Sequence, residues 1–321
     1  MKVVAKKTTE ITLEERLQIL SAHNEVFNLS TTLEEWQNGY LNTCLGYSFH
    51  ATLYNDEEKV IGNYTAIPIS YEVGNVVLTF AVASDMFIRE GYRDDLNNLL
   101  SILNATIKVL QTNDIAAFYG FPNDNSNKVS LAFLRKKRIG FLDTYILPYK
   151  IGDYKKSLKV LNPLSMLFSK CMLGISLLAV SKKPSNAIIK KTRPVFEKTR
   201  FKWFDAGSYN FYEDNDLKCV WKIAQFDGIK ACFLMDVYPM NPKNFNKAVR
   251  TMVHKMKSEC GLFIYVGHLN FTPLSMLKIP HKFEPKTFRF DCRILDKEKL
   301  SKEDVFNINN WEVDLSSYDL L

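Results

Sequence analysis

The chain has 321 residues and a formal net charge of +7, and 46% of its residues are hydrophobic. This balance excludes a disordered chain and predicts a globular protein long enough for two domains. The six cysteines form no C-x-x-C pair and no cluster with metal-ligand spacing, so the sequence predicts no metal site. Free cysteines and the lack of an apolar segment at the N-terminus are typical of a reduced, cytoplasmic protein, which we expect here.

The first 150 residues predict two helices followed by a mixed sheet. Thr12 and Glu15 form a capping-box pattern before a helix through about Phe27, and a second helix begins near Trp36. Alternating polarity then predicts an antiparallel meander of three strands over 48–54, 59–68 and 76–88. The remaining segments predict a helix, a strand, a helix and a strand over 93–110, 115–121, 126–137 and 141–149.

A basic and apolar segment, 151–200, follows the first sheet. Its longest apolar stretch, Leu164 to Val180, is interrupted by Lys170 and is short for a membrane span of about 20 residues. Because apolar residues surround it on nearly all sides, we expect a helix buried between two halves of the protein. A helix on a membrane surface, flanked by lysine pairs, is the alternative.

The last part of the chain repeats the pattern of the first in weaker form. Strands are predicted over 219–226, 230–237, 262–266 and 287–295, with a helix over 242–258. Asp85 precedes a helix and an apolar strand, and Asp236 does the same. We therefore predict an α/β protein with α+β mixed sheets, divided into similar halves at 1–150 and 201–321 and joined by a helical connection at 151–200.

Four short segments of the first half occur in a distinctive order and spacing: Val60–Tyr64, Ala83–Ile88, Gly91–Arg93 and Phe118–Asn123. In this order they resemble the GNAT superfamily of N-acyltransferases, and in particular the two-domain bacterial GNAT-like proteins of polysaccharide gene clusters. The resemblance implies tandem GNAT-like halves, that is, two folds of the acyl-CoA N-acyltransferase type.

The resemblance also implies a co-substrate, acetyl-CoA or another acyl-CoA, that adds to the sheet like one more strand. Its pyrophosphate would sit on the backbone N–H groups at the start of the following helix. The implied contacts are Met86, Phe87, Ile88, Arg93, Asp94, Asp95, Leu96 and Asn97.

The phosphate loop departs from the family pattern. Leu96 and Asn98 stand where the family has small residues, which let the backbone approach phosphate closely. Asp94 and Asp95 would face the pyrophosphate, and each such contact at about 4 Å costs about 1 kcal/mol in water and about 4 kcal/mol at a surface-like dielectric. The sequence therefore predicts weak binding of acyl-CoA and leaves open whether the protein is an enzyme.

Three residues are candidates for catalysis. Asp85 could orient or deprotonate an amine, Tyr119 could donate a proton to the departing thiolate, and Asn123 could line a polar pocket. Each has a structural alternative, respectively a turn carboxylate, a core aromatic and a helix cap. The five histidines are scattered, and structural roles are expected for all of them.

Three functions follow from these patterns. The first is transfer of an acyl group, acetyl in the first instance, to a small-molecule or sugar amine such as an amino sugar of a surface polysaccharide. The second is a non-catalytic GNAT-like binding module. The third is a peptidyl transferase-like protein that uses aminoacyl-tRNA, supported by the basic connection. Without a DNA-binding motif no DNA partner is expected, whereas tRNA and a membrane surface stay open as partners.

Overall fold

The computed structural model describes residues 1–183, 185–192, 209–226, 228–284 and 286–317. These residues form two compact units that interleave along the chain. The first unit contains Met1–Gly140, the described part of 188–204 and Arg289–Ile308, and the second contains Phe141–Ala187, the described part of 205–288 and 309–317. The contiguous boundaries predicted at 1–150, 151–200 and 201–321 differ from this division, because residues beyond 288 return to the first unit. The predicted division into domains stays a prediction.

Both helices and strands are distributed over the two units, as expected for the predicted α/β class. The described helices are α1 Leu13–Phe27, α2 Leu33–Tyr40, α3 Leu96–Thr112, α4 Asp124–Lys128, α5 Asn162–Ile175, α6 Pro242–Met256 and α7 Lys302–Val305. The described strands are β1 Lys2–Lys7, β2 Phe49–Tyr54, β3 Val60–Val73, β4 Val76–Ile88, β5 Ala117–Gly120, β6 Lys137–Pro148, β7 Ile189–Lys191, β8 Tyr209–Glu213, β9 Lys218–Phe226, β10 Ile229–Tyr238, β11 Leu262–Gly267, β12 Leu277–Lys278 and β13 Phe288–Ile294.

Capping boxes begin the first two helices. The Thr12 side chain accepts a hydrogen bond from the backbone of Glu15 at 3.2 Å, and the Glu15 carboxylate accepts one from the backbone of Thr12 at 2.8 Å. Thr32 and Glu35 make the same reciprocal pair before α2. Each cap satisfies N–H groups that the helix itself leaves unpaired, at about 1 kcal/mol per cap. Both helices predicted from the sequence are confirmed.

The sheet of the first unit has the strand order β1-β2-β3-β4-β5-β13, and β7 pairs with β3. Its strands pair antiparallel except for β4 and β5, which are parallel. The apolar stripe of α3 buries Ile102, Leu103 and Leu110 against β2 and β3, and all three side chains are less than 3% exposed. Burial of each contributes about 1.5–3 kcal/mol, so the stripe fixes α3 over the strands that carry the site.

The sheet of the second unit has the order β6-β11-β10-β9-β8, with β12 beside β6. Among the described strands of this sheet, only β10 and β11 run parallel. Helix α6 packs on this sheet through Phe245, Val249 and Met252, which are fully buried. The second unit thus has its own core.

The two units share one substructure. In each, a bulged strand is followed by a capped helix and then by a strand that runs parallel to the first. The bulges interrupt the β3–β4 register beside Asp85 and the β9–β10 register at Met235. The helices that follow are α3 and α6, capped by Asp95 and Asn241. Each unit therefore has a mixed sheet and a helix after its bulged strand, and the division into two tandem GNAT-like halves stays a prediction.

The prediction of a buried helix at Leu164–Val180 is wrong. Helix α5 and the 3₁₀ turn Ser176–Leu178 belong to the second unit, and most of their large apolar side chains are exposed. Only small serines of this segment are fully buried, because the side that faces the protein carries them. Burial was predicted because apolar residues lie on all sides of this segment. In the structure most of these residues form an exposed surface instead.

The helix predicted over 126–137 is shorter and shifted. Asn123 caps α4, one π turn extends it over Val129–Phe133, and the chain then enters the left-handed region at Arg135 with φ of 54°. A residue in that conformation ends a helix. Strand β6 begins two residues later, so Lys136 lies in the connection and not on a helix.

Candidate active site

A β-bulge shapes the end of β4. Tyr64 of β3 pairs with Met86 and Ala66 pairs with Ala83, so Ser84 and Asp85 together oppose a single residue of β3. An inserted residue twists a strand and turns its side chains to a new direction, and such bulges are common beside active sites. The bulge sets the direction of the Asp85 side chain.

One edge of β4 opens next to the bulge. The parallel pairing of β4 with β5 covers only Phe80–Val82, opposite Ala117–Tyr119. From Ala83 to Ile88, β4 pairs with β3 alone among the described strands. An extended chain of amides could hydrogen-bond to this edge as a further strand would.

The Asp85 carboxylate is held by side chains from both N-terminal helices. The hydroxyl of Tyr40, at the end of α2, donates a short hydrogen bond to Oδ2, and Nε2 of His23 on α1 lies 3.6 Å from the same atom. Burial alone would raise the pKa of the Asp85 carboxyl, but the adjacent His23 imidazole and the hydrogen bond from Tyr40 outweigh it, and the pKa is lowered. The Asp85 side chain is 39% exposed, so solvent or a ligand can reach an ionised carboxylate.

A wall of aromatic rings orders this cluster. The His23 ring contacts Phe27 and Phe87 with centroids 4.9 and 6.0 Å apart. The Tyr40 ring packs edge-on against His50 at 5.4 Å. Tight packing in this wall leaves the Tyr40 hydroxyl and the His23 ring few other orientations.

His50 supports the wall from inside the sheet. It is 1% exposed and lies 2.9 Å from the Ser48 hydroxyl, and burial lowers the pKa of its imidazole to about 3. It is therefore neutral at physiological pH and adds no charge behind Asp85. Its role is structural, as predicted for the histidines.

The start of α3 is closed by the chain's own side chains. The helix begins at Leu96 and not at Arg93 as predicted, because Asp95 is its N-cap and accepts a hydrogen bond from the Asn97 backbone at 2.9 Å. Nε of Arg93 donates to the Ile88 carbonyl at 2.7 Å, which ties the loop to the end of β4. Asp94, Asp95 and Leu96 are exposed. A carboxylate thus already occupies the position where a pyrophosphate would be expected.

The other two catalytic candidates lie in structural positions. Tyr119 is fully buried, and its hydroxyl accepts a hydrogen bond from Tyr71 at 2.9 Å. Asn123 caps α4 by accepting hydrogen bonds from the backbone and hydroxyl of Ser126. The structure brings His23 and Tyr40 to Asp85 instead. Both were missed because the residues lie far apart in sequence, and no local pattern signals that they meet.

Lys136 is a second residue that the sequence did not single out. Its ammonium group lies 3.8 Å from the centre of the Phe118 ring, and a Cβ added at Gly120 would come within 3.2 Å of it and 2.9 Å of the Ala83 methyl. Lys136 therefore lies at the junction where β4 and β5 part. Burial lowers the pKa of its ammonium to about 7.

The second unit contains a separate cavity of about 660 Å³ at the end of β11. Its polar lining includes His268, whose Nε2 lies 2.9 and 3.1 Å from the side-chain oxygens of Asn270 and Asn309. Asp143 lines another part and pairs with Lys278 at 2.7 Å. Within the described ranges, no group of three or more His, Cys, Asp or Glu residues is arranged to hold a metal ion.

The fold resembles that of known protein structures. A conserved Enterococcus faecalis protein described as a probable N-acyltransferase aligns with 92% of this chain and 73% of its own, with a TM-score of 0.55 and 13% identity. A GCN5-related N-acetyltransferase from Anabaena variabilis aligns with 91% of this chain and 73% of its own, with a TM-score of 0.57 and 14% identity.

A GCN5-related N-acetyltransferase from Kribbella flavida aligns with 92% of this chain and 72% of its own, with a TM-score of 0.58 and 14% identity. The chain therefore has the fold of the GCN5-related N-acetyltransferases, which confirms the GNAT-like fold predicted from its sequence. No protein-family model and no curated protein matches the sequence.

Proposed function

We propose that the chain is an N-acyltransferase that moves an acyl group from acyl-CoA to an amine. The observation that carries the proposal is the ionised Asp85 carboxylate, turned by the bulge toward His23 and Tyr40 beside the open edge of β4. The fold is one in which GNAT enzymes act, but fold alone does not fix an activity.

Asp85 would bind and orient the acceptor. An amine arrives at neutral pH as an ammonium ion, and a carboxylate whose pKa is lowered stays ionised to attract it. Tyr40 and His23 hold the carboxylate in one position, so an amine bound there has a fixed direction toward the β4 edge. The ammonium ion would first lose one proton to solvent, because only the free amine can attack the thioester carbonyl. As the C–N bond forms and the C–S bond breaks, the nitrogen would release a second proton to solvent at the exposed side of Asp85, and the CoA thiolate would leave and take up a proton from solvent.

Met86, Phe87 and Ile88 would hold the acyl donor along the β4 edge. Their backbone groups fit the amides of a pantetheine arm, whereas Asp94 and Asp95 fit the pyrophosphate poorly. The donor is then acetyl-CoA or another acyl-CoA bound mainly through its arm and only weakly through its phosphates. We propose an amino sugar as the acceptor because the sequence resembles proteins of polysaccharide gene clusters.

The test is release of free CoA thiol from acetyl-CoA and longer acyl-CoAs, measured with amino sugars, polyamines and amino acids as acceptors. Asp85→Asn should lower kcat/KM by about 10²-fold or more, the size of a lost proton-handling or orienting group. Asp114→Asn is the matched control. Asp114 is an exposed carboxylate that pairs with Lys299, and its positive φ is one that Asn tolerates. Equal rates for both variants would contradict the role of Asp85.

A non-catalytic GNAT-like binding module is the second candidate, and the closed start of α3 favours it. The Asp95 carboxylate takes the N–H group that a phosphate would use. In that case wild-type protein should bind no acyl-CoA in calorimetry and release no thiol with any acceptor, while its stability is normal.

A further inference from the structure

Residues Lys156–Leu178 form a continuous helical segment whose outer side is apolar. The segment comprises a 3₁₀ helix at Lys156–Leu161, α5 and a 3₁₀ turn at Ser176–Leu178. We call its outer side the outward stripe, defined by residues spaced three and four apart: Leu164, Leu167, Phe168, Cys171, Ile175 and Leu178. The five large apolar side chains of this stripe are 42–73% exposed.

The opposite side of the segment is bound to the second unit by apolar and polar contacts. Met166, Met172 and Leu173 are partly buried against the core of that unit, and serines make hydrogen bonds to it. Ser165 Oγ donates to the Tyr149 carbonyl and Ser169 Oγ to the Pro148 carbonyl, each at 3.2 Å. Arg250 of α6 donates to the backbone carbonyl of Ser176 at 3.0 Å. Helices of soluble proteins usually turn their leucines inward, whereas this segment turns most of its leucines outward.

This reversed pattern points to an apolar environment outside the protein. The segment is long and apolar enough to cross a membrane, and only 11% of its most apolar stretch is buried. A spanning helix, however, would have to break the serine and arginine contacts that bind one side of it along its length. A helix lying parallel to a membrane surface keeps those contacts and buries only the outward stripe.

The charges around the segment select the kind of membrane. Between Tyr154 and Thr192 the sequence contains no Asp or Glu. Six lysines in this range are exposed: Lys155, Lys156, Lys159, Lys170, Lys182 and Lys183. Each lysine close to an anionic bilayer contributes about 1 kcal/mol of attraction. Association of two copies through the same stripe would bring two sets of these lysines together, which disfavours a symmetric dimer here.

We propose that the outward stripe and its lysines bind the protein to an anionic lipid bilayer, with the Lys156–Leu178 segment lying in the plane of the interface. The leucines, Phe168 and Ile175 enter the boundary between headgroups and acyl chains, and the lysines contact the headgroups. An enzyme bound in this way would meet acceptors made or carried at the membrane.

Cosedimentation with vesicles tests the proposal directly. Wild-type protein should bind vesicles of phosphatidylcholine mixed with phosphatidylglycerol, bind pure phosphatidylcholine at least tenfold more weakly, and lose affinity as salt rises. The double variant Leu167→Glu with Phe168→Glu should bind anionic vesicles at least tenfold more weakly. Val76→Glu with Val77→Glu is the matched control, because these two side chains are comparably exposed at the start of β4 in the first unit. It should bind like wild type.

Cys171 provides a second readout without any mutation. It lies within the outward stripe and is the exposed cysteine of the six, the other five being buried. Anionic vesicles should slow its reaction with a water-soluble maleimide, and an environment-sensitive label on it should shift to the blue.

Three results would overturn the proposal. The first is wild-type protein that binds neither kind of vesicle. The second is unchanged binding by the Leu167→Glu, Phe168→Glu variant at unchanged melting temperature. The third is a dimer in sedimentation velocity that this variant dissociates while vesicles leave Cys171 reactive, which would make the stripe an interface between copies of the chain.

Discussion

At the scale of single residues, the extra residue in β4 changes what Asp85 can do. In an unbulged strand it would alternate regularly with its neighbours, whereas the bulge brings it to the hydroxyl of Tyr40 and to the imidazole of His23. Those two groups hold an accessible carboxylate in its ionised form. The chemistry of the proposed site thus depends on a local backbone irregularity and on two helices that precede the sheet.

Tyr40→Phe should shift the pH dependence of acyl transfer. Loss of the Tyr40 hydrogen bond removes one of the interactions that lower the pKa of Asp85, so that pKa should rise. Activity that needs the ionised carboxylate should then fall away at a higher pH on the acid side than in wild type, with less change above neutral pH. A profile of kcat/KM against pH measures this, and a uniform loss at all pH values would indicate a steric role for Tyr40.

Lys136→Met should remove a pH-dependent part of the stability. The folded protein lowers the pKa of Lys136 from 10.5 to about 7, so between those values the unfolded chain holds a proton that the folded chain has lost. Relative to its value above pH 10.5, the free energy of unfolding is therefore lowered by Lys136 progressively as the pH falls. The full loss is reached below about pH 7.

Urea unfolding of wild type and Lys136→Met from pH 6 to pH 10 measures the effect. The free energy of unfolding of wild type relative to the variant should increase with pH by an amount on the order of a few kcal/mol. Lys108→Met, at an exposed lysine of α3, should show no such trend. A parallel pH dependence of wild type and Lys136→Met would show that Lys136 is charged in the folded protein.

At the scale of elements, the start of α3 can be changed without losing its cap. Asn caps a helix about as well as Asp, so Asp94→Asn with Asp95→Asn removes two charges and keeps the hydrogen bond to Asn97. If the phosphates of acyl-CoA lie there, each removed charge relieves about 1 kcal/mol of repulsion at about 4 Å in water. Acetyl-CoA should then bind about fivefold to thirtyfold more tightly in calorimetry, for relief of one or of both repulsions.

Glu34→Gln is the control for that measurement. Glu34 is an exposed acid in the first turn of α2, so its removal changes the charge of a helix start elsewhere in the same unit. It should leave the affinity unchanged. Tight binding by wild type would show that Asp95 leaves the phosphate position when the ligand arrives, and absence of binding by every variant would favour the binding module.

Elements with a local signal were predictable from the sequence, and those that depend on distant partners were not. Helices α1 and α2 have capping boxes, and β2, β3 and β4 alternate in polarity, so all five were predicted. Strand β1 was missed because three of its six residues are lysines and its polarity does not alternate, and it is a strand through its pairing with β2. The exposure of the apolar side of α5 was also missed, since a hydropathy pattern does not tell whether lipid or protein covers the apolar side of a helix.

At the scale of the whole molecule, the chain returns to its first unit near the end and so departs from the two contiguous halves that the apparent repeat suggests. Strand β13 pairs with β5 through Asp291–Ile294, and Asp291 accepts hydrogen bonds from Arg138 and Ser130. Phe290 stacks on Phe121 with ring centroids 5.1 Å apart. A segment near the C-terminal end of the sequence therefore pairs with the sheet formed by the N-terminal part. A comparison of the two halves as contiguous blocks would not indicate this pairing.

A fragment of residues 1–150 should consequently be less stable than the same fragment carrying residues 286–308 on a flexible Gly/Ser linker. Without β13, β5 becomes an unpaired edge, Phe121 loses its stacking partner and Arg138 loses its carboxylate. Breaking a buried ion pair costs about 3–5 kcal/mol, and an exposed apolar edge promotes aggregation.

Thermal unfolding and light scattering of the two fragments measure the difference. Both lack β7, so the comparison isolates the contribution of β13. The linked fragment with Asp291→Ala is the control, and it should lose most of the gain because it restores the strand but lacks the carboxylate that Arg138 contacts. If the fragment 1–150 melted cooperatively at the temperature of the linked form, the contiguous boundary at residue 150 would be a true domain boundary, and the return of β13 would be an addition to a sheet already stable without it.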